Sequence, residues 1–97
     1  MEIIITKEAQ AWFEEEMGVS CKRGVRFLSK VYGCSPIHEG FSLAIEVDEP
    51  TMPHVLVREN DIPYFIEQGD EWFFEGYNLF VDFDKKLQEP SYQYIKQ

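Results

Sequence analysis

The sequence predicts an α+β domain: a small mixed, mainly antiparallel β-sheet with one long N-terminal helix and one short helix later in the chain. Three features lead there. Phe41, Leu43, Ile45 and Val47 alternate with Ser42, Ala44 and Glu46, which is the period of a half-buried strand. Ala9, Trp12, Phe13 and Met17 instead recur at the spacing of one helix face. Aromatic residues make up 15% of the 97 residues, and such large flat side chains suit a pleated core that one domain of this size can bury.

Taken in order, Ile3-Ile4-Ile5 reads as a short strand feeding Thr6, whose hydroxyl suits a helix N-cap. Lys7, Glu8 and Ala9 open the helix with Glu8 near its positive end, Glu14, Glu15 and Glu16 fall mostly outside, and Gly18 stops it. The apolar stripe reads as core packing, because a lone amphipathic helix in so small a chain must cover the sheet. Residues 25–32 form a β-rich, roughly alternating strand, residues 33–40 a loop, and residues 41–47 the next strand, ended by Asp48-Glu49-Pro50. Pro53 sets off a strand at 55–58, which turns through Glu59-Asn60-Asp61 into another at 62–66. Gly69-Asp70-Glu71 begins a short helical turn carrying Trp72, Phe73 and Phe74. After Gly76, Leu79, Phe80, Val81 and Phe83 mark a further strand, and residues 92–95 a short one beyond Pro90. No repeat, low-complexity tract or linker divides residues 1–97, which read as a single domain.

Eighteen acidic against nine basic residues leave a formal net charge of -9, which repels phosphate backbones and anionic membrane surfaces. The densest basic stretches, Lys22-Arg23-Gly24-Val25-Arg26 and Lys85-Lys86, are too short to reverse this, so no nucleic acid is expected as a partner. The acidity suits solubility, or else a basic protein or a cationic metal. Met1-Glu2-Ile3-Ile4-Ile5 lacks the basic start of a leader, and no apolar run approaches the roughly 20 residues of a membrane span. A cytoplasmic location without membrane contact is expected. Cys21 and Cys34 are too few for a secreted disulfide scaffold and are expected to be reduced.

Catalytic constellations are missing: there is no Gly-rich phosphate loop, HExxH, GxSxG or CxxC. His38 and His54 read as surface residues, and Asp48-Glu49 and Asp70-Glu71 as turn and helix-start residues rather than an acid/base pair. Catalysis through a Cys34 nucleophile would need His38 as its base, on spacing alone, and no enzyme activity is expected. The distinctive stretch is Val31-Tyr32-Gly33-Cys34-Ser35-Pro36, a turn directly after a strand. A thiol there, near Lys30 and His38, is a candidate soft-metal ligand or sulfur carrier; the alternative is a buried, inert cysteine. Cys21, in the polar turn of residues 18–24, reads as incidental.

Around these residues the chain resembles the HesB/IscA-like iron-sulfur cluster biosynthesis family, the A-type carriers and their relatives. The resemblance runs from Ile3-Ile4-Ile5-Thr6-Lys7-Glu8-Ala9 through Gly33-Cys34-Ser35, where the carriers have Gly-Cys-Ser-Gly. It continues through Gly40-Phe41-Ser42-Leu43 and Asp48-Glu49-Pro50 to a hairpin at 55–66 and a strand at 79–83. It implies a HesB/IscA-like fold, a role in handling iron, sulfur or a cluster with Cys34 as metal ligand, iron-sulfur assembly or acceptor proteins as partners, and a homodimer. The carriers build their function on three cysteines, one in this turn and two in a Cys-Gly-Cys tail. Only Cys34 has a counterpart here, and Pro36 stiffens the loop where the family has glycine.

A cluster generally takes four protein ligands, usually thiolates, so one chain offering Cys34 is not expected to hold an iron-sulfur cluster stably. The resemblance therefore leaves two roles open. One is iron, sulfur or cluster handling through Cys34. The other is a cluster-free protein-binding or regulatory module on the same scaffold, with Trp72, Phe73, Phe74 and Tyr77 as candidate docking residues if they are not core.

Overall fold

The computed structural model describes residues 1–34, 36–37 and 39–97, with the side chains of all of these except Tyr32, Cys34 and Glu39. Strand β1 (Ile3–Ile5) leads into helix α1 (Lys7–Glu16), and strands β2 (Gly24–Cys34), β3 (Glu39–Asp48), β4 (Pro53–Glu59) and β5 (Ile62–Glu67) follow. A 3-10 turn (Gln68–Asp70) runs into the short helix α2 (Glu71–Phe74), and β6 (Tyr77–Asp84) and β7 (Glu89–Lys96) complete the chain.

The N-terminal helix is not long. Thr6 caps it as expected, its Oγ1 accepting the Ala9 amide at 3.3 Å, but α1 covers 10 residues, about 15 Å of axis. The Met17 amide makes the last bond, to the Phe13 carbonyl, and Gly18 then turns left-handed at φ 60°, which glycine does at little cost. The helix is also rotated from its expected stripe: Ala9, Gln10 and Phe13 are buried, while Trp12 and Met17 pack at the margin. Gln10 tolerates burial because its Nε2 donates to the Ile5 carbonyl at 2.8 Å.

Two sheets form in place of the expected one. One has the order β1-β6-β7 and the other β3-β2-β5-β4. The pairs β1/β6 and β2/β5 are parallel and the rest antiparallel. The split follows from residue patterning. Ile3 and Ile5 are buried with Ile4 exposed, and their register partners Leu79 and Val81 are buried too, giving this small sheet an apolar inner face. That face meets Val25, Phe27 and Tyr64 of the larger sheet in one cluster. Phe13 lies against both Phe27 and Tyr64, with ring centroids 6.3 and 5.8 Å away, and Phe27 reaches Tyr92 of β7 at 6.2 Å.

All six residues of β5 are buried, as suits an interior strand covered on both faces. Its hairpin with β4 turns on Asn60 and Asp61, whose φ values of 54° and 65° make the two-residue turn that matches strand twist. Among the described residues no helix is long and apolar enough to cross a membrane.

Candidate functional site

The loop expected at 33–40 is mostly strand. β2 and β3 pair without interruption from Gly24↔Asp48 to Val31↔Phe41, and the register then shifts by one residue before Cys34↔Glu39. Tyr32 and Gly33 thus oppose Gly40 alone, a β-bulge of the kind that redirects a strand end. Gly33 and Gly40 have φ values of 104° and 84°. A Cβ on Gly33 would also lie 2.9 Å from Ser42 Oγ, so that position needs glycine twice over. The sequence motif therefore marks a backbone device at the end of the longest hairpin. The side chain of Cys34 and the whole of His38 lie outside what the structure describes.

The two cysteines are not brought together. Cys21 is exposed in the turn before β2, and Cys34 ends that strand. Ten residue steps of strand separate Gly24 from Cys34, about 33 Å of chain, close to the longest dimension of the molecule, 34 Å. Among the described residues no three His, Cys, Asp or Glu side chains converge to hold a metal ion.

Below the bulge lies an apolar surface. Val31 is 62% exposed beside its cross-strand partner Phe41, and the Phe41 ring stands edge-on to Trp72 at 5.0 Å. Of the proposed docking aromatics, Phe73 and Phe74 are core, Tyr77 is half-buried and Trp72 remains 43% exposed.

Asp70 fixes the segment that carries Trp72. β2 pairs β5 at Val25↔Tyr64 and Arg26↔Phe65, and at Ser29 a carboxylate stands where a longer partner strand would. The Ser29 amide and hydroxyl donate to Asp70 Oδ1 at 3.3 and 3.0 Å, and Arg26 donates to Oδ2 at 3.1 Å. Arg26 also reaches Glu46 and Asp48, each at 3.3 Å. Burial lowers the pKa of its guanidinium, but Asp70, Asp48 and Glu46 more than offset this and leave it raised. Glu67 has a similar role, accepting from the amides of Thr51 and Met52 at 2.8 and 2.9 Å. The sequence reads Asp70 as a helix-start residue; Arg26, half-buried in β2 where Lys30 is exposed, marks the strand position that a buried carboxylate faces.

Comparison with known proteins adds sequence kinship to this geometry. The pyruvate dehydrogenase inhibitor of Bacillus subtilis is 33% identical over 94 residues, which span 97% of this chain and 99% of that protein. The chain belongs to that inhibitor's family. An uncharacterized protein of Staphylococcus saprophyticus is 30% identical over 95 residues, covering 95% of this chain and 97% of its own. No family model matches. The crystal structure of Escherichia coli SufA, a protein involved in biosynthesis of iron-sulfur clusters, aligns at a TM-score of 0.64 over 98% of this chain and 80% of SufA. At 20% identity that likeness establishes the fold, which is the HesB/IscA-like one. The chain thus combines a SufA-like fold with sequence kinship to the Bacillus subtilis inhibitor.

Proposed function

We propose that this protein is a regulatory binding module that inhibits pyruvate dehydrogenase by direct contact, without a cluster and without catalysis of its own. The end-to-end match with the Bacillus subtilis inhibitor carries this reading. Ligand counting supports it. An iron-sulfur cluster asks for about four thiolates or their equivalents, these 97 residues contain two cysteines, and β2 holds those two apart along its whole length. The donor set does not fit a cluster held by one chain.

The test is to titrate the purified chain into purified Bacillus subtilis pyruvate dehydrogenase and follow NADH formation. A saturable fall in rate is expected; an unchanged rate with excess chain overturns the proposal. The SufA-like fold and the placement of Cys34 at the end of β2 favour a second reading, transfer of iron, sulfur or a cluster as cargo through Cys34 between assembly and acceptor proteins. Its mark would be visible absorbance after incubation with iron and sulfide that disappears in Cys34→Ala.

A further inference from the structure

By strand order, β1 and β7 are the outer strands of one sheet and β3 and β4 those of the other. Two of the four are guarded: β1 is three residues long, and β4 opens on Pro53 and closes on Arg58 and Glu59. Shortness, proline and charge are the usual means by which a sheet refuses another strand. Residues 41–45 of β3 and 91–95 of β7 carry neither charge nor proline, and these are the outer strands of the two sheets.

Between them lies a groove of about 520 Å3, walled by Leu43, Ala44 and Ile45 of β3, Pro90 and Tyr92 of β7 and Trp12 of α1. Successive side chains of a strand point to opposite faces, so a wall built of three consecutive β3 residues fits a groove that runs along the strand's edge. Lys30 and Glu89 complete its wall, and their charges cancel. Trp12 also borders a neighbouring depression lined by Glu8, Glu15 and Glu16. Lys85 approaches Glu8 at 3.7 Å, whereas exposed Glu15 and Glu16 have no ion pair among the described residues. An apolar edge thus opens onto an acidic trough.

We propose that an extended segment of a partner protein, apolar at alternate positions and basic at one end, adds to β3 as a fifth strand of the larger sheet. Its backbone pairs with residues 41–45, its apolar side chains fill the groove beside Leu43, Ile45 and Tyr92, and its lysines or arginines meet Glu15 and Glu16 beyond Trp12. This names the contact surface for the inhibitory role and rests on that reading. A second copy fits less well, since pairing two chains of net charge -9 sets like fields against each other.

The test is amide hydrogen exchange on the whole chain, alone and with pyruvate dehydrogenase, alongside binding of short synthetic peptides that alternate valine with lysine or valine with glutamate. Amides of residues 41–45 should slow at least about tenfold in the enzyme complex, and Glu15→Lys with Glu16→Lys should weaken binding by about tenfold. Leu43→Arg should abolish binding; should that variant not fold, the exposed Glu15 and Glu16 changes still decide. Inhibition retained without protection at 41–45, and with the double variant unimpaired, overturns the surface and leaves the inhibitory role standing. If the wild type does not inhibit, the peptides decide: protection by the lysine peptide alone supports the surface, and binding of neither overturns it. Protection that instead rises with the chain's own concentration assigns the edge to a second copy and overturns the partner segment.

Discussion

Tyr64 sits in the core, fully buried, with a hydroxyl that finds no hydrogen-bond partner among the described residues. Burial raises its pKa to about 12, helped by the nearby charges of Glu14 and Glu59, and burial pushes Tyr92 and Tyr94 up as well. An unfolded tyrosine loses its proton near pH 10 while the folded one holds it. This contribution to stability is therefore fully present below about pH 10 and is lost as pH rises toward about 12. Tyr64→Phe removes an unsatisfied buried group and keeps the ring, so it should leave stability equal or raise it by about 1 kcal/mol, and flatten the alkaline loss. Urea unfolding at pH 8 and pH 11 checks both. Asp70 is the opposite case, a buried carboxylate with both oxygens engaged. Asp70→Ala should cost about 1–3 kcal/mol in the same measurement, because Ser29 loses its acceptor and Arg26 the nearest of its three carboxylates.

Among the elements, β2 organises the molecule. Its first residue, Gly24, lies against the Pro63 carbonyl so closely that an added Cβ would overlap it. Gly24→Ala should therefore destabilise the fold by about 1–3 kcal/mol, or more if β5 cannot shift, and melting temperature reads this directly. At its other end the bulge at Gly33 sets Cys34 one residue out of register with the rest of the hairpin. Much of this was legible in the sequence. The alternation at 41–47, the Thr6 cap and the Asn60-Asp61 turn are local signals, and each formed where local chemistry places it. The division into two sheets was not legible, because β1 pairs with β6 across more than 70 positions of sequence and no local pattern encodes a partner so distant. The helix ends before Gly18 as the sequence reads, and the interval between the Thr6 and Met17 caps holds only 10 residues, so it is not a long helix. The Asp70 site was hidden for a related reason: a carboxylate in a turn looks solvated until the fold sets Arg26 and Ser29 against it.

At the scale of the whole molecule, the chain joins a SufA-like fold to a sequence akin to that of the Bacillus subtilis pyruvate dehydrogenase inhibitor. The resemblance to the HesB/IscA-like family anticipated the fold that the chain shares with SufA, though not the division into two sheets or the shortness of α1. Its chemistry is the finer claim, and it turns on the thiol of Cys34. A binding module depends on shape and charge spread over a face, and replacing one sulfur with hydrogen changes little of either. A carrier loses its ligand. The decisive measurement compares inhibition of pyruvate dehydrogenase by the wild type and by Cys34→Ala, both prepared free of metal. The regulatory reading predicts full inhibition by each, with half-maximal concentrations agreeing within about twofold, a difference under about 0.5 kcal/mol. Inhibition that vanishes with the thiol, or that appears only after iron and sulfide are supplied, would contradict it.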